Sequence, residues 1–195
     1  SPHDFVGYMF RQEIGGLILE PISMKYPTPR SIRKKTRYGD LGVNKVTVAV
    51  ADIAKFYATY GDKISFLGEP KSTVLPGIGD YMFVYGQDPD GNLLEFASWG
   101  GANTKGGVFG GATSVGISVT DLERSKHFYQ QHCDFDVVVS EHEQFSGLVG
   151  QLTGNDDTNV KSCLLDCSKR RNGGMLELYE VSNPRGRSMP FGTQW

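Results

Sequence analysis

Tyr81-Met82-Phe83-Val84-Tyr85, followed by Asp88-Pro89-Asp90-Gly91-Asn92 and then Leu93-Leu94-Glu95-Phe96, is the stretch on which the fold reading turns. Two β-favouring runs flank turn chemistry, so the spacing predicts strand, tight turn, strand. The same figure occurs twice more. Near the N-terminus Tyr8-Met9-Phe10 precedes Gly15-Gly16 and Leu17-Ile18-Leu19-Glu20, and a third copy ends Gly173-Gly174-Met175-Leu176-Glu177. Glu20 and Glu95 each lie four residues after a glycine.

Working outward, a second shared unit precedes two of these hairpins. Val43 to Val50 leads through Asp52 into Ile53 to Tyr60, and Ser114 to Val119 leads through Asp121 into Leu122 to Tyr129. Each reads as a strand entering a helix. The Asp supplies an N-cap whose carboxylate accepts from free backbone N–H groups and is favoured by the helix dipole. Leu122, Ser125, Phe128 and Tyr129 read as the packing face of the second helix. Ile64 to Leu67 and Val137 to Val139 follow as strands.

The unit is therefore β-α-β-β-β and the fold class α+β. Complete copies span 42–98 and 112–182, and residues 1–24 supply the last hairpin of an incomplete one. Segment 25–41, with Lys25, Arg30, Arg33, Lys34, Lys35 and Arg37 among prolines, reads as a solvated linker. Segment 99–111 is a glycine-rich linker, and 183–195 leads toward a possible further module. Three last-strand hairpins with only two first strands imply one of two arrangements. Either a homo-oligomer supplies the missing unit, or the chain is the central portion of a four-module protein of roughly 300 residues by repeat arithmetic.

Composition bounds the rest. With 195 residues, 38% of them hydrophobic, the chain can bury a core. A net charge of -2 gives no basic field to recruit nucleic acid. No window approaches the ~18 apolar residues of a membrane span, and no basic, cleavable leader is visible, so a cytoplasmic protein is expected. Three cysteines without a CxxC pattern, Cys133, Cys163 and Cys167, fit reduced thiols better than a disulfide framework.

The stretches Asp88 to Glu95 and Val119-Thr120-Asp121-Leu122-Glu123-Arg124-Ser125 with Phe128-Tyr129 resemble the vicinal oxygen chelate superfamily, which includes glyoxalase I and the extradiol dioxygenases. The resemblance implies βαβββ modules paired into curved, cup-shaped mixed sheets. It also implies a divalent metal held from first and last strands and bound by neighbouring substrate oxygens. Strand parity turns Glu95, Glu177 and Glu20 toward the concave face, each an acid among apolar neighbours and a possible hard-metal ligand or base.

The superfamily's first-strand ligand is commonly a histidine, and here the pattern departs. Alignment on the strand-Asp-helix junction puts Lys45 and Ser114 at those positions, neither a good metal ligand. Lys45 and Glu95, on neighbouring strands, would instead form an ion pair where the metal would sit. Glu177 is then the single family-type ligand of the last module, and a complete site would need ligands from another module.

Other candidates are His142, whose flanking Glu141 and Glu143 would raise its proton affinity, and Tyr179 and Tyr85 as hydrogen-bond donors. Two functions stay open. One is a metal-assisted glyoxalase-type lyase or isomerase, or an extradiol-type dioxygenase, acting on a small oxygenated molecule with Fe, Mn, Zn or Ni. The other is a metal-free ligand-binding protein of the same fold, or the non-catalytic half of a larger enzyme.

Overall fold

The strands that open the two complete units lie side by side, and the architecture grows from that seam. The computed structural model describes residues 5–9, 16–24, 37–102, 104–145, 149–169 and 173–188. In chain order its elements are β1 (Phe5–Gly7), β2 (Ile22–Met24), β3 (Gly42–Val50), α1 (Ile53–Tyr60), β4 (Ser65–Phe66), β5 (Lys71–Leu75), β6 (Gly79–Gln87) and β7 (Leu93–Trp99). There follow β8 (Phe109–Val119), α2 (Leu122–His132), β9 (Val137–Phe145), α3 (Gly150–Thr153), β10 (Asn159–Asp166) and β11 (Met175–Ser182).

One mixed, unclosed sheet runs β4-β6-β7-β3-β8-β11-β10-β9, with β5 added on β6. Within each unit the first and last strands are parallel neighbours, Thr47 opposite Glu95 and Gly116 opposite Glu177. Between units β3 and β8 pair antiparallel. The two complete units therefore pair within the chain, and Glu95 of the first and Glu177 of the second both reach Lys45 across one seam.

Local chemistry explains the elements. Asp52 Oδ1 accepts the Lys55 N–H at 2.9 Å and Asp121 Oδ1 that of Arg124 at 3.0 Å, capping both helices. In the β6–β7 turn Asp88 Oδ1 accepts from the Asp90 and Asn92 backbone N–H groups at 2.9 and 2.8 Å. Gly91 there takes φ +82°, a left-handed value glycine adopts without steric cost.

Side-chain alternation then divides the sheet. One face carries Val50, Val84 and Phe96 onto Ile53 and Phe56 of α1, and Leu165, Leu176 and Leu178 onto Leu122 of α2. The opposite parity sends Lys45, Thr47, Glu95, Ser114 and Glu177 to the concave face.

Several expectations are corrected. The strand read at Ile64 to Leu67 is only two residues long, and β5 is the longer partner of β6; its outer face carries Val74, 70% exposed, which blurred its pattern. Phe128 is 53% exposed, because six residues along a helix is about 240° of rotation from Leu122. Gly110 and Gly111 belong to β8 and not to a linker.

At the N-terminus β1 pairs β2, with Phe5 opposite Met24, so that run Leu17 to Glu20 is not a strand of that hairpin. It turns onto the main sheet, where the Leu17 N–H donates to the Ala112 carbonyl at 3.0 Å and Gly16 bridges Gly173. Lys25, Arg30, Arg33, Lys34 and Lys35 lie outside the described residues, as do 189–195. Among the described residues no helix is long and apolar enough to cross a membrane.

Candidate functional site

The concave face closes around a buried ammonium. Lys45, from β3, hydrogen-bonds the Glu95 carboxylate through Oε2 and meets Glu177 Oε2 at 2.9 Å. The Lys45 side chain is 2% exposed and those of Glu95 and Glu177 are 5% and 16%. The remaining carboxylate oxygens are also engaged. Tyr81 O–H donates to Glu95 Oε1 at 3.0 Å and Ser162 O–H to Glu177 Oε1 at 3.1 Å. Above this triad lies a cavity of about 120 Å³ with Tyr38, Tyr81, Phe83, Tyr85 and Trp99 among its walls. An apolar cavity of about 150 Å³ accepts benzene, so the free space suits a single-ring molecule.

Burial opposes the Lys45 charge, but Glu177 and then Glu95 overcome it and hold the ammonium well above the ordinary lysine range. Burial first, then Glu95, pushes the Tyr81 and Tyr85 phenols up, so both remain neutral donors. Lys45 Nζ also stands 5.6 and 5.7 Å from the ring centroids of Tyr85 and Tyr179.

The fold has counterparts among solved structures. Glyoxalase I from Zea mays aligns over 90% of this chain and 53% of its own, with 17% identity and a TM-score of 0.53. A mutant of the same enzyme aligns over 91% and 54%, with 16% identity and a TM-score of 0.56. The chain has a glyoxalase-like α+β fold. Methylmalonyl-CoA epimerase from Mycobacterium tuberculosis also aligns, over 77% of this chain and 94% of that one, at 12% identity and a TM-score of 0.45. The chain spans about half the length of the glyoxalase I chains it matches. No protein-family model matches the sequence and no curated protein matches it.

In a vicinal oxygen chelate cup the resemblance puts metal ligands at Lys45, Glu95, Ser114 and Glu177. These residues do not fit a resident divalent cation. An ammonium stands between the two carboxylates and supplies the positive charge there, and Ser114 offers only a neutral hydroxyl. Among the described residues no group of three or more His, Cys, Asp or Glu side chains could hold a metal.

The other sequence candidates separate. Ser114 is 3% exposed in the cup wall. Glu20 is exposed and lines a different cleft with Asp88 and Asp90, because its segment is not a last strand of the sheet. Tyr179 is fully buried below the cup wall, stacked on Tyr38 at 5.2 Å, with its hydroxyl unpartnered among the described residues. It packs beneath Lys45 and is not placed to meet a ligand. His142 does face the cup, but burial first and then Lys45 lower its proton affinity. The expected rise is reversed because alternation turns Glu141 and Glu143 to the exposed face, where Glu141 bonds Lys126 at 3.0 Å. Cys163 and Cys167 are buried free thiols, and burial raises the Cys163 thiol to about 11.

Two residues escaped the sequence reading. Tyr81 is the phenol that holds Glu95, which parity with Phe83 and Tyr85 already indicated. Gly116 on β8 makes room for Lys45, since a Cβ there would lie 2.5 Å from Lys45 Cγ and 3.2 Å from Tyr179 Cε1. Gly116→Ala is expected to cost about 1–3 kcal/mol by overpacking. Urea unfolding checks it, and a variant as stable as wild type would show that the lysine stem moves freely.

Proposed function

We propose that this chain is a metal-free binding protein for a small, single-ring molecule, with the Lys45 ammonium standing where a vicinal oxygen chelate enzyme holds its cation. The observation that carries the reading is the double engagement of Lys45 by Glu95 and Glu177 at the floor of an aromatic cup. Lys45 hydrogen-bonds Glu95 and stands 2.9 Å from Glu177 Oε2, so the floor of the cup presents fixed charges to whatever enters it. Thr47, Ser114 and Ser162 add hydroxyl groups to the wall, and the rings supply apolar contact. The metal-assisted lyase or dioxygenase reading is set aside because its Lewis acid would have to displace a buried, doubly paired ammonium.

Elemental analysis of the purified protein for iron, manganese, zinc, nickel and cobalt tests the first half, and far less than one metal per chain is expected. About one metal per chain would overturn the reading. Ligand-observed NMR with phenol-sized fragments tests the second half. Binding should appear in the wild type and vanish in Ser114→Phe, whose ring fills the cup. Equal binding by both proteins would place the ligand elsewhere.

A further inference from the structure

Among the described residues the cup carries a charge that is not balanced. One ammonium faces two carboxylates, so by formal charge Lys45, Glu95 and Glu177 leave one negative charge on a largely buried floor. The other titratable groups in the described wall do not offset it. Tyr38, Tyr81 and Tyr85 are neutral phenols raised first by burial, and His142 is held toward its neutral form first by burial and then by Lys45. Holding a net charge in a largely buried site is costly even when each group is hydrogen-bonded, and the walls around this one are aromatic. Tyr81 and Trp99 stack at 5.8 Å, and Phe83 and Tyr85 meet edge to face at 5.5 Å, presenting ring surfaces that attract cations. Of the two carboxylates Glu177 is the more open, and its Oε1 is held by a single neutral Ser162 hydroxyl.

We infer that the ligand is a small cyclic or aromatic amine in its ammonium form, with its charge placed against Glu177 and its ring among the aromatic side chains of the cup. This rests on reading the cup as a ligand site and adds the sign of the ligand's charge. The added cation brings the floor to neutrality without displacing Lys45. A carboxylate ligand would double the imbalance, and an alcohol would leave it.

Isothermal titration of the whole chain with benzylammonium, benzyl alcohol and benzoate, three ligands of one size and three charges, tests this. Benzylammonium is expected to bind about tenfold or more tighter than benzyl alcohol, with benzoate weakest. Glu177→Gln, which removes the surplus charge, is expected to abolish the preference for the amine over the alcohol. Benzyl alcohol or benzoate binding as well as the amine would overturn the charge inference and leave the cup reading standing. A preference for the amine that survives in Glu177→Gln would overturn the assignment to that carboxylate. Binding of none of the three would overturn both the inference and the cup reading.

Discussion

Lys45→Met lowers the unfolding free energy by about 3–5 kcal/mol in chelator-treated buffer, and added Mn²⁺ or Zn²⁺ restores part of the loss. Methionine keeps much of the volume of the lysine stem, so the effect is electrostatic: Glu95 and Glu177 are left buried with no cation between them. A metal that then binds the folded form alone stabilises it by about 2.7 kcal/mol at one hundred times its dissociation constant. Urea unfolding with and without chelator reads both effects.

Should the variant not fold, Lys45→Met/Glu177→Gln, with one carboxylate neutralised, is expected to recover much of the stability. A single variant as stable as wild type would show that the triad is not a coupled charge unit. The pH dependence follows from the raised lysine. Its stabilisation is present in full below the ordinary lysine range and is lost only as pH rises through the higher folded-state value. That alkaline loss should be absent from Lys45→Met.

Arg187→Ala is expected to destabilise by about 3 kcal/mol, at the low end for a broken buried pair because the Arg187 side chain is 42% exposed. Arg187 donates through Nε to Asp40 Oδ1 at 2.8 Å and through Nη2 to Oδ2 at 2.6 Å, and its carbonyl accepts the Leu41 N–H at 2.9 Å. This clamp ties the segment after β11 to the turn before β3. Tyr38 sits in that turn, edge-on to Tyr85 at 5.5 Å in the cup wall, so the variant should also weaken ligand binding.

Burial pushes the Asp40 carboxyl up, but hydrogen bonds from Arg187 and the Arg37 N–H outweigh it and hold it below the ordinary range. Stability from Asp40 is thus present above the ordinary aspartate range and lost as pH falls through the lower folded value. Wild type and Arg187→Ala should differ most near neutrality and converge in acid. A constant difference across that range would show that the clamp acts through packing and not charge.

Much of this was legible locally. The Asp caps, the Pro-Asp-Gly turn and strand parity are set within a few residues, and they located α1, α2, β6, β7 and the inward-facing Glu95 and Glu177. Lys45 and Ser114 stood out because they break the pattern the neighbouring residues resemble. Where reading failed, the reason lay at long range. β5 is defined by pairing with β6, and Glu20 shares the Gly-to-Glu spacing of Glu95 without sharing its strand. For His142 the flanking acids were visible, but which wall the imidazole faces was not.

The sequence by itself determined the strand that enters each capped helix, the β6–β7 hairpin and the inward-facing Lys45, Glu95 and Glu177, because capping, turn chemistry and alternation are short-range properties. Only the tertiary structure decided that the two units close on each other through β3 and β8. That antiparallel seam carries Glu177 to the ammonium of Lys45, a contact between residues 132 positions apart that no local pattern encodes, since it depends on the packing of whole strands.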